Sequence, residues 1–358
     1  SVHTQRWAGH FSDRGFEGTV VSFEPAEIEG VRVFNLPHLS SQRHINILLN
    51  LGKIRSLVKK INPDILHAHY VTSYGLAGAI CGIRPFIATT WGSDIFIAPE
   101  ESFFYRLLVK WVLRRADLVT SMAGHMTAFM NERGYSTPDR ILTLPFGVNT
   151  KQFNPGCRLR RHGDASATVI STRNLDGVYD VETFIRAIPL VMTRYALVRF
   201  VIVGDGPLRQ SLENLAVELK IHKHIDFLGK VSYEDMPNLL GNSDVFVTTC
   251  ISDGNNISLN EAMACGAFPV VSDIPANREW VAHGKNGLVF PCGNIESLAE
   301  KIIEALQQPE LRRAAAAENW SIINQRGSWT KNMDRMENYY RSREHYKPHS
   351  HTDYHISR

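Results

Sequence analysis

Short apolar runs alternate with longer helix-like segments along almost the whole chain, and this alternation limits the fold more than any other feature. Residues 19–23, 31–34, 65–69, 86–90, 118–121 and 141–144 read as strands in the first half. Residues 167–171, 198–203, 225–228, 245–249 and 268–271 follow in the second. Strands separated by helix-length segments predict an α/β fold with parallel sheets. A chain of 358 residues has room for two domains. Residues 153–164 lack an apolar period and carry Pro155 and Gly156, so they read as a linker. The cut falls near residue 157, giving domains over 1–157 and 158–325. Residues 322–343 are helical in composition, with Trp329, Met333, Met336, Tyr339 and Tyr340 on an apolar face. A closing helix over 326–345 and a polar tail over 346–358 complete the division.

At 44% hydrophobic and 21% charged residues the chain is a well-cored globular protein. No run has the length of a membrane span, and no secretory apolar region opens the sequence. Cys81, Cys157, Cys250, Cys265 and Cys292 are scattered and lack metal-type spacing, so they read as thiols in a reducing, cytoplasmic compartment. The formal charge is +3, with the basic surplus in the first half. No acid occurs between Arg32 and Pro63. Residues 103–115 read as a basic, aromatic-rich helix with Arg106, Lys110 and Arg114 on one face. That face is either solvated or meets an anionic membrane surface or lipid diphosphate, which would make the protein peripheral on the inner membrane face. Nucleic acid fits poorly as a partner, because no recognisable binding module is present and the overall pI is modest.

The chemistry concentrates between Asp253 and Pro269, D-G-N-N-I-S-L-N-E-A-M-A-C-G-A-F-P. Asp253 and Glu261 flank the turn Gly254-Asn255-Asn256 and the start of a helix. A helix N-terminus offers free N–H groups and partial positive charge, which suits phosphate. Carboxylates beside it suit sugar hydroxyls. The ligand implied is a diphosphate carrying a sugar at each end.

With Pro269-Val270-Val271, Asn277-Arg278-Glu279 and Gly284-Lys285-Asn286-Gly287-Leu288-Val289-Phe290 downstream, this block resembles the retaining glycosyltransferases of family 4 (group 1). Asp253 stands for the first Glu of their paired-Glu motif and Glu261 for the second. The resemblance runs over nearly the whole chain. It implies a GT-B architecture, two Rossmann-like doubly wound domains whose parallel sheets face across a cleft: an acceptor domain over 1–157 that lacks its first strand, a nucleotide-sugar domain over 158–325, and a closing helix over 326–345 that crosses back to the first domain. It also implies transfer of a sugar from a UDP-, GDP- or ADP-sugar to a saccharide or lipid-linked acceptor, in cell-surface polysaccharide or glycolipid synthesis. No cofactor and no metal are expected. The implied mechanism is a front-face displacement in which the leaving phosphate helps deprotonate the acceptor.

The resemblance also implies roles for single residues. Arg173 grips the donor diphosphate and stabilises the leaving nucleotide. Tyr179 stands where the family has a lysine, so a cation is missing there. Asp253 contacts donor-sugar hydroxyls, and Glu261 holds the ribose. Asn255, Asn256 and Ile257 offer backbone N–H groups to the phosphates. Gly204 and Gly206, in Val203-Gly204-Asp205-Gly206-Pro207, let the backbone approach the nucleotide closely. In the first half His69, after a strand, is the polar contact to acceptor or phosphate; Trp91 replaces a histidine common in relatives. Residues 145–155 resemble a structural signature near the hinge. In the family a first strand and a glycine-rich loop precede the opening helix, so about ten to fifteen further residues are expected before Ser1. Two other classes stay open: a non-catalytic sugar-nucleotide binding protein, favoured by Tyr179 and Trp91, and a nucleotide-sugar epimerase or hydrolase on the same fold.

Overall fold

Parallel strands frame both units into which the chain divides, Ser1–Leu144 with the chain from Met333, and Pro145–Asn332. The structure, a computed structural model, describes residues 1–158 and 167–343.

In the first unit β1 (Gly18–Ser22) pairs with β2 (Val31–Asn35). A second sheet runs β3 (Leu66–His69), β4 (Phe86–Thr89), β5 (Leu118–Ser121) and β6 (Ile141–Thr143), all parallel. Both β4 and β5 are buried at every position, as expected of strands covered on two faces. The opening helix Val2–Asp13 buries Trp7 and Phe11. Tyr340, from the last helix Trp329–Arg341, packs edge-on against Phe11 at 4.7 Å between ring centres.

The second unit holds β7 (Thr168–Thr172), β8 (Arg199–Val203), β9 (Ile225–Gly229), β10 (Val245–Thr248), β11 (Phe268–Ser272) and β12 (Leu288–Phe290). Their order across the sheet is β12-β11-β10-β7-β8-β9, all parallel. Strand order thus reverses between β7 and β10, as in doubly wound sheets. Side chains alternate across the two faces. Val169, Phe200, Ile202, Val247 and Val270 enter one core with Phe184, Ile185 and Ile188 of the helix Val181–Met192. Ile170, Val201, Phe246 and Val271 enter the other with Leu259 and Met263 of the helix Ile257–Ala264. Each such fully buried side chain contributes about 1.5–3 kcal/mol.

Three sequence readings change. Residues 322–343 are not one helix: Pro309–Arg326 ends at Gly327, and Trp329–Arg341 starts afresh. The break lets Gly327 O accept from Val148 N (2.7 Å) while Trp329 N donates to Val148 O (2.9 Å). Gly147, at φ 73°, lies against this backbone, and a Cβ there would meet Trp329 N at 2.7 Å. The linker is anchored wherever it is described. Phe153 is fully buried, and Arg158 pairs with Asp244 at 3.0 Å; residues 159–164 of that stretch lie outside the described residues, as does the tail 346–358. The cut near 157 falls inside the second unit, whose bounds also take in Trp329–Asn332 at the start of the last helix. Strand β12 escaped sequence reading because three residues show no period; its pairing with β11 defines it. No described helix is long and apolar enough to cross a membrane.

Candidate active site

The loops after β7 and β10 leave adjacent strands at the point where strand order reverses, the place where open α/β sheets bind ligands. Arg173 follows β7, and Asp253 to Asn256 follow β10. Arg173 Nη2 donates to Asp253 Oδ2 at 2.6 Å and Nη1 to Asn256 Oδ1 at 2.8 Å. The Arg173 and Asp253 side chains are 8% and 16% exposed, so the pair sits in low dielectric and holds its geometry. Tyr179 completes the seat, with its ring 4.2 Å from the guanidinium carbon. The tyrosine therefore meets Arg173 through its ring face, a cation–π contact. Arg173 Nε is buried with no partner among the described residues.

Asn256 is the buried N-cap of the helix Ile257–Ala264, and its Oδ1 accepts from Leu259 N at 3.1 Å. Asn260 N donates to Asn256 O. The N–H groups of Ile257 and Ser258 then remain for a ligand. Asn255 differs from the sequence reading: its N–H donates to Asp253 Oδ1 at 3.2 Å, inside the turn. Glu261 lies on the helix just past its first turn, and only 8% of it is exposed.

Gly204 and Gly206 need their missing Cβ for a different neighbour than expected. A Cβ on Gly204, at φ 137°, would lie 2.0 Å from Arg173 O; one on Gly206 would lie 2.3 Å from Leu175 O. Leu175 N donates to Asp205 O, and Leu208 N to Leu175 O. The two glycines thus clamp the backbone that carries Arg173.

Beneath the turn lies a layer of buried amides. Asn256 Nδ2 donates to Asn277 Oδ1 (2.9 Å), Asn277 Nδ2 to Ser272 O (2.9 Å), and Ser272 Oγ to Cys250 O (2.5 Å). Trp280 Nε1 donates to Asn255 Oδ1 at 3.1 Å. These supports escaped sequence reading, although Asn277 stands in the run that carried the resemblance; buried Asn residues spaced among apolar ones are the signal that could have marked them.

His69 lies in the first unit, at the end of β3. Its ring stacks on His67 (4.5 Å between centres) and meets Trp7 and Trp91 edge-on. Burial, with His3 nearby, pushes its imidazole down to about 3, so it is neutral. His69 Nδ1 is buried without a partner among the described residues. His67 joins a hydrogen-bonded chain from Trp7 Nε1 through Tyr340 Oη to His67 Nδ1, then from Nε2 to Thr89 and Thr120. Asp94, also missed, is fully buried and ties the two loops together. Its Oδ2 accepts from Val71 N at 2.9 Å and its Oδ1 from Trp91 N and Gly92 N at 2.9 and 3.0 Å. Burial pushes its carboxyl up to about 6, against the pull of these donors. No cluster of three or more potential metal ligands occurs among the described residues.

Two family models match the chain: Glycosyl transferases group 1 over residues 160–319, and Glycosyl transferase 4-like over residues 1–123. The chain belongs to the group 1 glycosyltransferases. An uncharacterized glycosyltransferase of Methanocaldococcus jannaschii is 27% identical over 87% of this chain and 85% of its own. The UDP-Gal:alpha-D-GlcNAc-diphosphoundecaprenol alpha-1,3-galactosyltransferase of Escherichia coli is 26% identical over 77% of this chain and 75% of its own. Anabaena HepE, solved with UDP and glucose, superposes with a TM-score of 0.75 at 19% identity and 95% coverage of both chains. This group 1 glycosyltransferase has the GT-B fold of such structures, with two Rossmann-like units.

Proposed function

We propose that this glycosyltransferase is a retaining enzyme. It would take its sugar from a nucleotide-diphosphate donor seated on the second unit and pass it to a saccharide or lipid-linked acceptor. The observation that carries the reading is Arg173, held by Asp253, Asn256 and Tyr179 beside the N-terminus of the helix Ile257–Ala264. A guanidinium and two unpaired N–H groups are what a departing diphosphate needs, because negative charge develops there as the glycosidic bond breaks. Asp253 then faces the donor sugar and Glu261 the ribose, while Asn256 acts through its side chain and Ile257 through its N–H. Gly204 and Gly206 serve by fixing the backbone of Arg173. By the family mechanism the leaving phosphate takes the proton of the acceptor hydroxyl, and His69 is the first unit's polar contact to acceptor or phosphate. The mechanism uses positioning and charge stabilisation, and requires no metal ion. Relatives support the donor class: the E. coli protein is named for UDP-galactose, and a Corynebacterium glutamicum relative for GDP-mannose. A place at the cytoplasmic membrane face agrees with the lipid-linked acceptors in those names.

Calorimetry with UDP, GDP and ADP tests the site. One nucleotide is expected to bind selectively, and Glu261→Ala to weaken it. Equal binding by parent and variant would remove Glu261 from the site. Turnover with the matching sugar donor, followed by proton NMR of the new anomeric centre, decides retention; an inverted product would sink it.

A further inference from the structure

A primary amide has nearly the same shape either way round. An asparagine turned over about its last bond fills the same space, with donor and acceptor exchanged. We propose that Asn277 is a positioning residue for the transfer reaction: acting through Asn256, it keeps an amide oxygen, and never an NH2, turned toward Arg173. The inference rests on the reading of the second unit as the donor seat, and adds a fully buried residue to that seat.

Asn256 Oδ1 faces two groups that only donate. Arg173 Nη1 reaches it at 2.8 Å and Leu259 N at 3.1 Å. On its other side Asn256 Nδ2 donates to Asn277 Oδ1 at 2.9 Å. Asn277 has the same two orientations, and a group that only accepts decides between them. Its Nδ2 donates to Ser272 O, the backbone carbonyl at the carboxyl end of β11, at 2.9 Å. The row therefore begins at an obligate acceptor and ends at an obligate donor.

No other arrangement satisfies it. Turning over one amide sets donor against donor at one end and acceptor against acceptor at the other. Turning over both moves the conflicts to Ser272 O and Arg173. Asn256, Asn277 and Ser272 are all fully buried, so each conflict would carry the cost of an unsatisfied group in low dielectric. The backbone of Asn277 is held as well: its N donates to Ile274 O at 3.0 Å, and its O accepts from Trp280 N and Val281 N at 3.0 and 2.9 Å.

The consequence falls on Arg173. Asp253 holds one terminal nitrogen of the guanidinium and Asn256 the other, and two partners fix a plane where one leaves it free to turn. Charge stabilisation in the transition state needs donors that are already aimed, and a misplacement of about 1 Å can cost about 10²-fold in rate. Without Asn277, Asn256 loses the acceptor beneath its NH2 and with it the reason to keep its oxygen toward Arg173.

The test is calorimetry on the whole chain with UDP, GDP and ADP, followed through the variants with whichever the parent binds. Asn277→Leu is expected to raise that nucleotide's Kd about tenfold. Added to Arg173→Ala, it should raise Kd by about threefold or less, because the group it acts through is gone. Asn319→Leu is the control: Asn319, fully buried in the same unit, pairs with Asn286 instead, at 2.8 and 3.0 Å. Its loss should lower stability in the same way and leave Kd within about twofold of the parent. An Asn277→Leu protein that binds as tightly as the parent, an equal effect of Asn277→Leu in both backgrounds, or an equal shift from Asn319→Leu overturns the proposal. Thermal unfolding checks each variant; Asn277→Cys, smaller and also without the amide oxygen, replaces Asn277→Leu if that one does not fold. If the parent binds none of the three nucleotides, the donor reading fails by itself. The row is then judged by urea denaturation, where the losses from Asn277→Leu and Arg173→Ala should be less than additive; full additivity overturns it.

Discussion

The loop after β10 in the second unit and the loop after β3 in the first both leave a parallel strand at its carboxyl end, yet opposite means hold them. Asp253 to Asn256 rest on amide side chains: Asn277 beneath Asn256 and Trp280 against Asn255, with an ion pair to Arg173 on top. Positive φ in the second unit falls mostly on glycines such as Gly204 and Gly229, although Asp180, next to Tyr179, also carries it at φ 44°. His69 and Tyr70 rest instead on stacked rings and one buried carboxylate, Asp94, with positive φ carried by a tyrosine. Fixed charges need fixed dipoles around them, because a charge left unsatisfied in low dielectric is costly. A neutral, aromatic surface tolerates looser polar support and can accept strain. The difference agrees with the proposed seat of a charged donor on the second unit.

The largest test of this contrast is Arg173→Ala. Removing the cation should lower kcat by about 10²–10³, as removal of one transition-state donor does. Steady-state turnover measures it, and a loss under threefold would place the leaving-group charge elsewhere. Gly204→Ala comes next. Strain at that φ costs about 1–3 kcal/mol, and overlap with Arg173 O adds to it, so urea denaturation should show a clear loss of stability; an unchanged midpoint would mean the clamp can shift. In the first unit Asp94→Asn should cost about 1–3 kcal/mol, because an amide nitrogen would face a backbone donor. If instead Asp94→Asn is neutral, the carboxylate does not tie the two loops.

Smaller effects sharpen the comparison. Tyr179→Leu removes a cation–π contact of about 0.5–2 kcal/mol, which should raise the nucleotide Kd several-fold in calorimetry; an unchanged Kd would show that Asp253 and Asn256 hold Arg173 unaided. The smallest concerns pH. His69 has a folded pKa of about 3, below its ordinary value near 6.5. Its contribution to stability is therefore complete above pH 6.5 and is lost as pH falls through 3. Asp94, raised to about 6, has the opposite sign: its contribution is complete below its ordinary value and lost as pH rises through 6. Proton NMR should find His69 neutral from pH 8 to 5. An imidazole titrating near 6.5 would show that the ring is not buried as described.

Eleven of the twelve strands among the described residues can be read directly from the sequence; those buried at every position, such as β4 and β5, are dense apolar runs whatever surrounds them. The helix after Asn256 is equally legible, since its cap and its alanine-rich body lie in consecutive residues. Less local features are not. Gly204 and Gly206 look like ligand-facing glycines until the backbone of Arg173 is found against them. Tyr179 looks like a lost cation until Arg173 is found on its ring. Asn277, Trp280 and Asp94 bond residues of other loops, and their positions along the chain do not say which.

By itself, then, the sequence determined that the chain is a two-part α/β protein with a phosphate-suited helix start between Asp253 and Glu261. Propensity, burial period and capping act over a few neighbouring residues and are written in order along the chain. Tertiary structure alone decided that Arg173 meets Asp253 across 80 residues, that His69 lies among Trp7, His67 and Trp91, and that the helix heading for Arg343 breaks at Gly327. Those outcomes depend on which loops the sheet order brings side by side, and on the bonds that buried polar groups must then find with one another.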